Sequence, residues 1–148
     1  MNLNKIIIFK PVVNENEIID RKIKYLQIIL NERLDWIKSR STINTDGSLD
    51  VDGNVWLDEL ELTEIPLKFN KINGSFDCAC NQLTNLKNCP NEVNGYFNCS
   101  YNQLTSLEGC PKEVGKNFYC YGNKVKFTEE DVRKHCNAKI NMFRFIDN

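Results

Sequence analysis

One histidine, two methionines, two tryptophans and four prolines stand among 148 residues. A single histidine leaves little material for His-based metal sets or for the commonest general base. No apolar run approaches the roughly 18 residues of a membrane span, the longest near the start being Ile6-Ile7-Ile8-Phe9. Neither sign of charge dominates. Nineteen Lys+Arg face twenty Asp+Glu, a net charge of −1, which argues against a general nucleic-acid binder. P-loop, G-x-G-x-x-G, H-E-x-x-H, G-x-S-x-G and EF-hand signatures are all missing. With no paired carboxylates in a recognisable setting, catalysis is not expected and no catalytic residue is assigned. The first residues, MNLNKIIIFKPVVNENE, lack the cleavage pattern of a secretory leader, so the expectation is a cytoplasmic protein with no membrane partner.

What is present begins with a composition of 41% hydrophobic and 26% charged residues, incompatible with wholesale disorder. The length suits one domain that buries about two thirds of its unfolded surface. The chain then repeats itself every 21 residues. GNVWLDELELTEI from Gly53, GSFDCACNQLTNL from Gly74 and GYFNCSYNQLTSL from Gly95 align, and NFYCYGNKVKF from Asn117 follows with Gly115 displaced by one position. Phe76, Phe97 and Phe118 recur in register, as do Cys78, Cys99 and Cys120; Asn81, Asn102 and Asn123; and Leu62, Leu83, Leu104 and Val125. A return segment repeats Ile65, Leu86 and Leu107, then Val51, Ile72, Val93 and Val114, with Cys89-Pro90 echoed by Cys110-Pro111. Such a period means a solenoid whose units bury their apolar faces against their neighbours.

The pattern F-x-C-x-x-N-x-L-x-x-L is similar to the leucine-rich-repeat formula L-x-L-x-x-N-x-L, with Phe and Cys in two Leu positions. It resembles the short bacterial type of repeat, and most closely the Cys-containing repeats, written NxLTSLEGCPKEVGG, of small proteins from large tailed bacteriophages. The resemblance spans about residues 42–136. It implies an α/β solenoid with a leucine-rich-repeat-like parallel sheet of about four coils. It further implies a role in protein recognition.

Alternation in F-x-C points Phe76 and Cys78 inward, Asp77 and Ala79 outward. Parallel strands of successive coils stack equivalent residues about 4.8 Å apart. The recurring Asn is expected to bond the backbone of a turning chain, and the Gly before each strand to supply positive φ. Leu60 takes the Asn position in the first coil, as an atypical terminal repeat would.

Seven cysteines are an odd number for a paired secreted framework. Cys78, Cys99, Cys120, Cys89 and Cys110 fall on interior positions, where a thiol packs as a small hydrophobe. Their spacings lack the C-x₂₋₄-C knuckles of a zinc site, and no metal or cofactor is assigned. Cys80, equivalent to Tyr101 and Gly122, falls on the rim. His135-Cys136 is a poor catalytic pair, because adjacent side chains rarely meet. Asp46, Asp50 and Asp52 carry either a weak cation or, the favoured reading, two tight turns.

The domain divides into an N-terminal strand and helix cap over 1–43, the solenoid over 44–127 and a C-terminal cap over 128–148. Residues 16–40 are expected to be helical, opened by Asn14 and Glu17. One stripe, Ile19, Ile23, Leu26, Leu30, Leu34 and Ile37, suits packing on the first coil. A second, Ile18, Tyr25, Ile29 and Trp36, is either clasped by an Ile6–Phe9 strand or kept for a partner or a homodimer. Thr128 and Asp131 should cap a short helix, and KINMFRFID, with Ile140, Met142 and Phe145 alternating, should add a last strand.

Charge is uneven. Residues 1–43 carry 8 basic and 5 acidic side chains, residues 44–123 carry 5 and 11, and residues 124–148 carry 6 and 4. An acidic solenoid favours a partner with a basic surface and repels nucleic acid. The outward strand positions combine aromatics with carboxylates, a composition suited to recognition. The expected partner-binding residues are Trp56, Asp58, Asp77, Tyr96, Asn98, Tyr119 and Tyr121. The expected function is non-enzymatic protein binding through the sheet face. By the phage resemblance, the partner is a host or phage protein, for example one of a bacterial defence system. Self-assembly through the helix is the alternative, and mimicry of nucleic acid ranks last.

Overall fold

The structure, a computed structural model, describes residues 14–138. Helix α1, Glu15–Ser39, opens on Asn14, whose side chain accepts the Glu17 N–H at 2.9 Å. Glu15 and Glu17 in its first turn and Lys38 in its last complement the helix dipole. Short strands follow: β1 (Ser41–Ile43), β2 (Leu49–Val51), β3 (Val55–Trp56), β4 (Phe69–Ile72), β5 (Phe76–Asp77), β6 (Glu92–Val93), β7 (Phe97–Asn98), β8 (Glu113–Val114) and β9 (Phe118–Tyr119). Helix α2, Glu129–Arg133, and β10, Asn137–Ala138, complete the described chain. The expected Ile6–Phe9 strand and the KINMFRFID segment lie outside the described residues.

The strands form two sheets, ordered β1-β2-β4-β6-β8-β10 and β3-β5-β7-β9. All pairings are parallel except β1 with β2. Register follows the 21-residue period, with Val55, Phe76, Phe97 and Phe118 stacked in the small sheet and Ile72, Val93 and Val114 in the large one. The chain is therefore an α/β solenoid of about three turns, marked by four levels of the small sheet. Its core is a column of inward side chains. Phe76 stacks on Phe97 at 5.8 Å between ring centres, and Phe97 meets Phe118 at 5.1 Å. Leu83, Leu86, Leu104 and Leu107 fill the opposite wall.

Three features of the coils differ from the sequence reading. Ala79, expected on the outer face, is 6% exposed, and Ser100 at the equivalent place one coil on is 0% exposed. The small-sheet strands are only two residues long, and the chain turns a left-handed corner at the same point of every level: Glu59, Cys80, Tyr101 and Gly122 have φ of 58°, 55°, 52° and 66°. Alternation therefore ends before it reaches those positions. The second concerns glycine. Gly53 has positive φ, at 136°, but Gly74 and Gly95 do not. They are needed for close approach: a Cβ on Gly95 would lie 2.8 Å from the backbone carbonyl of Gly74 and 2.3 Å from Ser75 Oγ. Val125 also departs from its expected interior place. It is exposed on the last level, and Phe127 is the buried side chain there.

The Asn positions work across levels. Asn81 Oδ1 accepts from Leu60 N and Leu62 N of the preceding coil, and its Nδ2 donates to Leu57 O as well as to Cys78 O and Ala79 O of its own. One level on, Asn102 Oδ1 accepts from Leu83 N and its Nδ2 donates to Cys78 O, Cys99 O and Ser100 O. Six cysteines are buried in the column and Cys80 is exposed, all of them free thiols. At the far end Thr128 and Asp131 form a reciprocal capping box on α2.

Candidate functional site

Where α1 passes the first edge of the small sheet, an open cleft of about 770 Å³ is formed. From the helix come Glu32, Arg33, Trp36 and Ile37; from the coils come Trp56, Asp58, Asp77 and Tyr96. Four of the expected sheet-face residues thus meet in one cavity, joined by Trp36 of the expected dimer face. Strand β3 places Trp56 outward while Val55 and Leu57 go into the core. Strand β5 presents Asp77 between buried Phe76 and Cys78 in the same way.

Arg33 ties the two parts together. Its Nη1 donates to Trp56 O at 3.2 Å, Asp58 O at 3.0 Å and Asp58 Oδ1 at 3.1 Å. Elsewhere in the small sheet each coil donates its N–H groups to the carbonyls of the next, as Leu57 N does to Asp77 O. The first coil's carbonyls thus have no preceding coil to serve, and Arg33 meets two of them. Trp36 lies over Gly53, where a Cβ would come within 3.0 Å of its ring. The Arg40 guanidinium sits 5.5 Å from the Trp36 ring centre.

Asp77 is held by uncharged donors, Ala79 N at 2.9 Å to Oδ1 and Asn98 Nδ2 at 3.1 Å to Oδ2. Burial raises its carboxyl above the ordinary range, and the charge of Asp58 adds to the shift. Tyr96 is pushed up to about 12, first by burial and then by the negative charges of Asp77 and Asp58. The aromatics continue outward from the cleft. Trp56 and Tyr96 are 6.1 Å apart, Tyr96 and Tyr119 5.9 Å, and Tyr119 and Tyr121 6.3 Å. All seven expected face residues therefore belong to one continuous surface, with Asn98 beside Asp77.

The helix stripes divide differently from the expectation. Leu26, Ile29, Leu30, Leu34 and Ile37 pack on the core, so Ile29 of the second stripe is a packing residue. Ile19 and Ile23 of the first stripe are exposed, together with Ile18, Tyr25 and Ile28. A 25-residue helix is about 37 Å long; its apolar packing on the solenoid runs from Leu26 onward, and before that Lys22 reaches Glu61 by an ion pair.

Glu32, Arg33 and Tyr101 were not singled out from the sequence. Glu32 and Arg33 lie one turn before Trp36 and Ile37, but only the docking angle of α1 brings them to β3. Tyr101 follows the corner to an exposed position and contacts Tyr121 at 5.1 Å. Asp46 and Asp50 serve turns: Asp46 accepts from Ser48 N and Lys68 Nζ, and Asp50 from the side-chain amides of Asn44 and Asn70. His135 is exposed and Cys136 buried, which separates that pair. Among the described residues no group of three or more His, Cys, Asp or Glu is placed to hold a metal, and no helix is long and apolar enough to cross a membrane.

In comparisons with protein-family models, curated proteins and solved structures, nothing matches this chain.

Proposed function

We propose that the chain is a non-enzymatic protein-binding module whose contact surface is the outer face of the small sheet with the adjoining cleft. The observation that carries this reading is the meeting of Trp36, Trp56 and Tyr96 with Asp58 and Asp77 in one open cavity. Large aromatic anchors beside a few oriented polar groups are the usual composition of binding hot spots. The acidic repeats favour a partner with a basic surface over nucleic acid. The repeat resemblance supports a bacteriophage setting, with a host or phage protein as partner in the bacterial cytoplasm and the blunting of a defence system as the role. A capture from bacterial lysate tests this by comparing wild type with a Tyr96→Ala/Tyr119→Ala variant of unchanged circular dichroism. A partner retained by wild type and lost by the variant is expected. Equal retention by both would remove the sheet face from the reading.

A second reading is self-association through the first half of α1. Ile18, Ile19, Ile23, Tyr25 and Ile28 are 46% to 63% exposed there, an apolar surface of the kind that marks interfaces. It requires a two-chain mass in solution that Ile19→Asp with Ile23→Asp reduces to one. A one-chain mass for wild type at high concentration would sink it.

A further inference from the structure

We infer that the cleft between α1 and the small sheet takes an arginine side chain of the partner, its guanidinium against the rings of Trp56 and Tyr96 and its charge met by Asp77. The inference rests on the binding reading and deepens it by naming the chemistry recognised. The first argument is charge. Three carboxylates line the cleft, Glu32, Asp58 and Asp77, against the single guanidinium of Arg33. Arg33 is spent on Asp58 and two backbone carbonyls, and among the described residues no cation pairs with Asp77. A half-buried carboxylate facing a second one is a costly arrangement, and an incoming cation offsets it.

The second argument is the remaining acceptor capacity of Asp77. Its carboxylate accepts from Ala79 N at Oδ1 and from Asn98 Nδ2 at Oδ2, and the Tyr96 hydroxyl also donates to it. Two carboxylate oxygens have about four lone pairs, so one acceptor site is left, and all three donors in place are uncharged. A guanidinium takes that site with one N–H while its plane lies on the neighbouring rings, a combination that a compact, strongly hydrated ammonium does not offer.

The third argument is the walls. Trp56 and Tyr96 are tilted at 45° with centres 6.1 Å apart, and both border the cavity that Asp77 enters. Aromatic faces attract cations, and the planar, weakly hydrated guanidinium stacks on them better than an ammonium does. The chain already makes this contact once, with Arg40 on Trp36. The cavity, about 770 Å³, has room for a long side chain and the backbone that bears it.

The chain's two tryptophans, Trp36 and Trp56, both line this cleft, so intrinsic fluorescence reports its occupancy. The probes are the capped tripeptides acetyl-Gly-Arg-Gly-amide and its citrulline counterpart, which keeps the shape and loses the charge. The arginine peptide is expected to change tryptophan emission saturably and the citrulline peptide to leave it unchanged. Asp77→Asn should weaken the arginine response about tenfold, the scale of one charge-assisted contact. Should Asp77→Asn fail to fold, Trp56→Ala removes a wall and leaves Trp36 as reporter, with the same weakening expected. Equal responses to both peptides, or none from either, overturn the inference. Adding the arginine peptide to the lysate capture separates the two readings. A partner lost on Tyr96→Ala/Tyr119→Ala substitution but not displaced by the peptide leaves the binding face standing and removes the arginine. Peptide binding with no face-dependent partner does the reverse.

Discussion

At the scale of single residues, Asn102 shows what one amide contributes to a fold made of short strands. It is buried, its Oδ1 accepts Leu83 N at 3.0 Å, and its Nδ2 reaches Cys78 O, Cys99 O and Ser100 O at 3.0 to 3.2 Å. Each of these carbonyls has a second donor, Asn81 Nδ2 on Cys78 O, Asn123 Nδ2 on Cys99 O and Cys80 N on Ser100 O, whereas Leu83 N depends on Asn102 Oδ1. Asn102→Ala leaves the buried Leu83 N–H without its acceptor, a loss of about 1–3 kcal/mol. Asn123, at the equivalent place on the last level, is only half-buried and its contact to Tyr121 O is 3.5 Å. Asn123→Ala should therefore cost less. Urea melts of the two variants check the order, and equal midpoints would show that burial does not set the contribution of this amide.

At the scale of elements, the end of the stack decides where the cleft forms. Arg33 serves the first coil's Trp56 O and Asp58 O from a neighbouring helix, and in doing so fixes α1 beside β3. Arg33→Met keeps the length of the stem and removes the donors. It should lower stability by about 1–3 kcal/mol and loosen Trp36 from Gly53, seen as a broader and redder tryptophan emission. A stable variant with unchanged emission would mean that apolar packing of Leu34 and Ile37 alone positions the helix. This element marks the boundary of what was legible in the sequence. The 21-residue period carried the coils and the inward Phe and Cys, and the stripe with its caps located α1 within one residue at each end, Glu15–Ser39 against 16–40. The outer face was read less well. The left-handed corner is borne by Glu59, Cys80 and Tyr101, none of which announces positive φ as glycine does, so the burial of Ala79 and Ser100 left no signal. Arg33 was invisible for a different reason: its partners are 23 and 25 residues away, and that pairing follows from docking rather than from pattern.

At the scale of the whole molecule, the cysteines supply a built-in measure of how the stack comes apart. Six thiols lie in the buried column on successive levels, and only Cys80 is exposed. Burial pushes the Cys110 and Cys120 thiols up to about 12 and that of Cys136 to about 11, and it raises Cys89 and Cys99 as well. Thiolate is the reactive form, so at pH 8 the native chain should present one thiol to a disulfide reagent and the denatured chain seven. Cys80 itself is held above its ordinary value by partial burial and by the charges of Glu59, Asp77 and Asp58, and it should react more slowly than a free thiol. The order of the remaining six follows from one-dimensional coupling. Each coil of a solenoid rests on its neighbours alone, so the less firmly capped end opens first. Among the described residues the first coil is covered by α1 from Leu26 onward, whereas at the other end α2 has five residues and β10 two. In denaturant below the melting midpoint, Cys136 and Cys120 should be alkylated before Cys99, and Cys78 last, a gradient that mass spectrometry of labelled peptides reads directly. Identical rates at all six would show instead that the stacked Phe and Asn ladders bind every level into one cooperative unit, and that the end caps do not set where unfolding starts.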